Sequence, residues 1–152
     1  MQSNEQILSA IENFLAQADF PAEPELLYAP IGYSLAGGGK RLRPMLLMLA
    51  YGTFADDMQQ ALPAAAAVEV FHNFTLLHDD IMDNAAVRRG KPSVHAKWGR
   101  NVAILSGDAM LIYAYRLLST VPAELLPQAL TTFNNMALEV CEGQRWQFLL
   151  WR

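Results

Sequence analysis

The chain has 152 residues, enough for one domain with a real core. Of these, 53% are hydrophobic and only 17% are charged, so its elements must be buried on more than one side or covered by a partner. A net charge of −4 gives no footing for nucleic acid, and no run of about 18 uncharged apolar residues marks a transmembrane segment. The single cysteine, Cys141, excludes an internal disulfide framework, fits a reducing, cytoplasmic compartment and reads as a small core residue. The start, Met1 to Glu12, is polar and acidic, unlike a signal peptide.

From Ser3 to about Ala18, Ile7, Leu8, Ile11, Phe14 and Leu15 recur at helical spacing, and Ser3 with Gln6 forms a capping-box pattern. Prolines between Asp19 and Pro24 break that pattern. A second helix is predicted from near Pro24 to about Leu35. Next comes Gly37-Gly38-Gly39-Lys40-Arg41-Leu42-Arg43-Pro44. Its glycines permit positive φ and close backbone approach, and its cations open an apolar helix from Met45 to Ala50. A glycine loop at a helix N-terminus binds anions through its amides. Cations there oppose the helix dipole, and a bound anion would relieve them. The alternative is a loop of solvated basic residues. Neither common phosphate fingerprint fits.

Gly52 to Pro63 reads as a polar loop in which Asp56-Asp57 form a turn or cap. A long helix is predicted from about Leu62 to Asp83, apolar for most of its length and ending in His78-Asp79-Asp80-Ile81-Met82-Asp83. Asp79 and Asp83, four residues apart, share a face. Two carboxylates brought together need a positive charge between them, and hard oxygen ligands of this kind suit Mg²⁺. The acids also sit at the C-terminal end of the dipole, which disfavours each by a few tenths of a kcal/mol. Their plain alternative is a solvated helix end. Ala85 to Lys91 reads as a loop carrying a second cationic pair, Arg88-Arg89, and residues 92–95 as a short helix with a structural His95. A helix from Asn101 to about Ser119 holds Asp108 as a buried, hydrogen-bonded acid. A last helix is predicted from Glu124 to about Trp151, kinked at Gly143. No alternating strand pattern of useful length, internal repeat or low-complexity linker is found.

One carboxylate group and two cationic sites in an all-α, apolar chain point to a polyphosphate held through metal above a greasy cavity. Gly38-Gly39-Lys40-Arg41-Leu42-Arg43-Pro44, then His72 ahead of His78-Asp79-Asp80-Ile81-Met82-Asp83, then Arg88-Arg89-Gly90 resemble the trans-type isoprenyl diphosphate synthases, or polyprenyl synthetases, in order and spacing. The resemblance runs from about Leu26 to Gln144. It implies a helical bundle around a central cavity, usually a homodimer. It also implies head-to-tail transfer of an allylic diphosphate's prenyl group to isopentenyl diphosphate. By the same resemblance Asp79 and Asp83 bind Mg²⁺ on the allylic diphosphate with Asp80 in support, and Arg88 clamps that diphosphate. Lys40, Arg43, His72 and Arg89 form the pocket for isopentenyl diphosphate, and Gln144 lies near the reacting centre.

For product length the family pattern singles out Phe74, with Thr75 beside it, and resembles geranylgeranyl (C20) synthases, with farnesyl (C15) next. An ideal wheel puts Phe74 about 140° from Asp79, with Phe71 and Thr75 closer to the aspartate face. A second aspartate-rich motif and later lysines of the family are absent. The resemblance therefore implies that residues 1–152 are the N-terminal part of a single isoprenoid synthase domain, truncated and inactive alone. Two other readings compete. One is a non-catalytic subunit or binding module of a synthase. The other is an HD-type metal phosphohydrolase, because His72 and Asp79 share a face; it leaves both basic sites without a role.

Overall fold

The computed structural model describes residues 3–18 and 20–150, with side chains to Trp146. It is an all-helical bundle: α1 (Asn4–Ala16), α2 (Glu25–Leu35), α3 (Leu42–Tyr51), a 3₁₀ turn (Met58–Ala61), α4 (Leu62–Met82), α5 (Val94–Trp98), α6 (Arg100–Leu118) and α7 (Leu126–Leu150). Between α4 and α5 lies a two-residue hairpin, β1 (Val87–Arg88) with β2 (Lys91–Pro92), in the register Val87 opposite Pro92. The expected loop over 85–91 is thus partly a ladder. Its turn, Arg89-Gly90, has φ of 53° and 77°, the mirror-image turn that suits two strands joined by two residues.

The helix starts follow from local chemistry. Ser3 accepts from the Gln6 amide while Gln6 caps the Ser3 amide at 2.8 Å. Asp57 caps the 3₁₀ turn, and Ser93 caps α5. Pro30 sits inside α2 and removes one helical donor. There the buried Ser106 hydroxyl of α6 donates to the Leu27 carbonyl at 2.9 Å, which fixes α2 against α6.

α4 is the central element. Ala65, Ala67, Val70 and Leu77 bury its apolar side, and α6 packs along it through Ala103, Met110 and Ala114. Small residues let the two backbones approach closely. At Gly107 of α6 an added Cβ would lie 2.4 Å from Nε2 of His78 and 3.3 Å from Leu77. The His78 ring also packs against Phe74, with centroids 4.7 Å apart, which limits how far it can yield. Gly107→Ala therefore gains about 1 kcal/mol of helix propensity but incurs a larger overpacking cost of about 1–3 kcal/mol. Urea unfolding should show a net loss; a more stable variant would contradict this packing.

Several expectations change here. Asp108 is exposed rather than buried, and its carboxylate lies at the solvent-facing margin of the α4–α6 contact, 3.8 Å from His78. Cys141 is exposed, not core, because it lies on the groove side of α7, which packs lightly on the bundle. α7 begins at Leu126, after a turn in which Pro122 accepts from the Leu125 and Leu126 amides, and runs unbroken through Gly143. The expected helix end at Trp151 lies outside the described residues. No helix among those described is long and apolar enough to cross a membrane.

Candidate active site

The C-terminal end of α4 shapes the site. Asp83 caps the helix, Asn84 takes a left-handed φ of 52°, and the Ala85 amide returns to the Asp80 carbonyl at 2.9 Å. This Schellman-type stop reverses the chain so that the hairpin folds back beside α4. Arg88 then donates from Nε to Asp80 Oδ1 at 2.9 Å, and from Nη2 to the same oxygen. Asp80 is 4% exposed. Its carboxylate thus orients Arg88, on a side of α4 about 100° round from Asp79.

Asp79 is half-buried and stands over an open groove of ≈ 570 Å³ between α4 and α7. The same groove takes in Arg43, His72, Phe71, Phe74, Thr75 and Gln144. Its lower wall is apolar, with Val68, Met136 and Val140. Phe74 reaches the groove despite its wheel position, packed against Phe71 with centroids 5.6 Å apart. Phe71 is buried and meets Phe133 of α7 edge-on at 5.3 Å. Long aromatic side chains lean over the preceding turn, which is why the wheel left the facing of Phe74 open.

Burial, and then the charge of Asp83, raises the Asp79 carboxyl above its usual range, against the opposing pull of Arg88. Asp83 itself is exposed at the helix end. This acidic pair is short of positive charge. Among the described residues no three His, Cys, Asp or Glu converge on one point, so they do not form a closed cation cage. A pair of carboxylates with open positions fits Mg²⁺, which keeps water and substrate phosphate in its shell.

The basic residues divide. Arg43 Nη1 lies 3.1 Å from His72 Nε2, which as acceptor places the imidazole proton on Nδ1. Burial and the charge of Arg43 lower the His72 pKa, with Arg89 and Arg88 adding to the effect and Glu69 opposing it. Nε2 of His72 is thus turned to the Arg43 guanidinium, which disfavours the phosphohydrolase reading that made His72 a metal ligand. The Arg89 guanidinium lies against Gly39, whose φ is 144°; a Cβ there would sit 3.0 Å from Arg89 Nη1. The glycine loop and the hairpin are thereby joined. Lys40 is exposed and lines neither the groove nor the small pocket, ≈ 40 Å³, that Arg88, Arg89 and Lys91 share with Asp80 and Asn73.

Sequence reasoning passed over a second polar stripe on α4, formed by Glu69, Asn73 and Asp80, all buried. Asn73 donates to the Glu69 carbonyl at 2.9 Å and to its carboxylate at 3.1 Å. Arg41, grouped in the sequence with Lys40 and Arg43, is buried against Glu69 instead. The available signal was an acid and an amide four apart inside an apolar run, which need a partner when buried.

An all-helical chain that sets paired carboxylates against arginines above an apolar groove has the makeup of a site for a diphosphate with a hydrocarbon tail. A sequence model described as polyprenyl synthetase matches residues 24–152, and the chain belongs to that family. It is 47% identical over 124 residues to the geranylgeranyl diphosphate synthase of Methanosarcina mazei, covering 80% of this chain and 38% of that protein. It is 37% identical over 128 residues to the farnesyl diphosphate synthase of Geobacillus stearothermophilus, covering 83% and 42%. A crystal structure of a geranylgeranyl pyrophosphate synthase superposes with a TM-score of 0.89 at 50% identity, covering 95% of this chain and 44% of that one. The chain thus spans about two-fifths of the length of these relatives.

Proposed function

We propose that residues 1–152 form the N-terminal part of a single isoprenoid synthase domain that condenses isopentenyl diphosphate with an allylic diphosphate to give a C20 or C15 product. The observation that carries this reading is the one groove that gathers Asp79, Arg43, His72 and Gln144 above an aromatic wall. Asp79 and Asp83 would hold Mg²⁺ and with it the allylic diphosphate, and Arg88, oriented by Asp80, would pair with the same diphosphate. Arg43, His72 and Arg89, together with the exposed Lys40 of the glycine loop, hold isopentenyl diphosphate. Mg²⁺, when bound, neutralises the charge that grows on the departing diphosphate. The allylic C–O bond breaks, the isopentenyl double bond donates its electron pair to the carbocation, and a proton is then lost. Oriented arginines stabilise the leaving group, and the apolar wall keeps water from the cation. No protein nucleophile is required.

Phe74, backed by Phe71 and flanked by Thr75, sets the depth available to the growing chain. The enzyme is cytoplasmic, as a single free thiol suits a reducing compartment. It works as a homodimer: Leu105 and Ile112, each 60% exposed and two turns apart on α6, offer an apolar stripe for a second copy.

The test is an assay with labelled isopentenyl diphosphate, farnesyl diphosphate and Mg²⁺, on this chain and on the chain followed to the stop codon of its gene. Prenyl transfer to C20 by the longer chain is the expected result, and Phe74→Ala in it should lengthen the product. Absence of turnover, with Mg²⁺ still bound, would leave a non-catalytic subunit as the better description.

A further inference from the structure

Arg41 is the buried member of the cationic run that opens α3. Its side chain is 3% exposed, and all three guanidinium nitrogens are engaged. Nε donates to Glu12 at 2.8 Å, Nη1 to Glu69 at 2.7 Å and Nη2 to the Leu35 carbonyl at 2.7 Å. These partners belong to α1, α4 and the end of α2. The Arg41 backbone is left-handed, with φ 46° and ψ 35°. A non-glycine residue holds such a conformation only where its surroundings over-determine it. Two residues before it, Gly39 lies against the Arg89 guanidinium; two residues after it, Arg43 meets His72.

Building on the functional reading above, the geometry points to Arg41, braced from α1 by Glu12, as a positioning residue for the isopentenyl diphosphate pocket. Its ion pairs fix the turn between Gly39 and Arg43, and so fix where Arg43 stands relative to His72. Glu12 lies in the stretch before residue 24, outside the family match. By this argument α1 is part of the scaffold of the site. A purely structural role for the pair would affect stability alone.

Glu12→Gln tests this without endangering the fold, because Glu12 is 48% exposed and keeps its shape as glutamine. Two readouts are used on the whole chain. One is the affinity for isopentenyl diphosphate by calorimetry, with Arg43→Ala as control. The other is the His72 titration by NMR, since burial and then Arg43 lower that pKa, with Arg89 and Arg88 adding to the effect and Glu69 opposing it. The variant should bind about tenfold more weakly, as a displaced charge would dictate. Its His72 pKa should rise as Arg43 draws away, with the melting temperature nearly unchanged. Wild-type affinity with an unmoved His72 would overturn the inference. If the parent chain fails to bind isopentenyl diphosphate while Glu12→Gln still shifts His72, the positioning role stands and the functional reading falls.

Discussion

Asp79→Asn is expected to weaken Mg²⁺-dependent binding of an allylic diphosphate on the order of 10²–10³-fold, the scale of losing one preorganised charge at a reacting centre. The reason lies in the apo site. Burial and Asp83 raise the Asp79 pKa, so its ionised form is held at a cost that a cation would relieve. The sign can be followed with pH. A carboxyl whose folded pKa lies above its unfolded value destabilises the fold increasingly as pH rises through that folded pKa. The apo chain should therefore gain stability from Asp79 as pH falls into that window. Mg²⁺ affinity should move in the opposite direction, failing at a higher pH than an ordinary aspartate would dictate. Asparagine removes both effects, so the variant should melt slightly higher without metal and no longer gain from Mg²⁺ with diphosphate. Thermal unfolding with and without Mg²⁺ and diphosphate, across pH, reads this directly. Equal Mg²⁺ stabilisation of parent and variant would remove Asp79 from the metal site.

The second large effect concerns stability. Arg41→Met should destabilise the chain by about 3–5 kcal/mol, because it leaves the Glu69 carboxylate buried with no cation. Glu69 has a side chain 4% exposed and would keep only the Asn73 amide at 3.1 Å. Small domains have about 5–15 kcal/mol in total, so the variant would be marginal at 37 °C. Methionine in place of both residues should recover most of the loss, since an apolar pair of similar volume often matches a buried ion pair. The double variant keeps the fold yet gives up the bonds that set the turn before Arg43, which separates stability from site geometry. Urea unfolding of the single and double variants closes the cycle. A single-variant loss below about 1 kcal/mol, or no recovery in the double, would mean the ion pair is poorly formed.

Most of the helical frame was legible in the chain. Spacing placed the long central helix from about Leu62 to Asp83, and α4 runs Leu62–Met82. It placed the next long helix from Asn101 to about Ser119, and α6 runs Arg100–Leu118. Ser3 with Gln6 announced the first start, because a capping box is satisfied within four residues. The motif order around Lys40, His72, Asp79 and Arg88 was enough to single out the family. These signals are local or periodic, and need no knowledge of what lies across the fold.

What the chain could not disclose was the partner of each polar group. Arg41 and Arg43 are alike in sequence, yet one is locked between α1 and α4 and the other meets His72. Asp79 and Asp80 are adjacent acids, yet one overlooks the groove and the other anchors Arg88. The two-residue hairpin has no periodicity to betray it, and it is held to α4 by the bonds from Arg88 to Asp80. Asp108 was read as buried from its place inside a helix, Cys141 as core from its residue type, and the wheel left the facing of Phe74 open. Periodicity divides a helix into faces, but which face is buried, and which charge meets which, depends on helices brought together from distant parts of the chain.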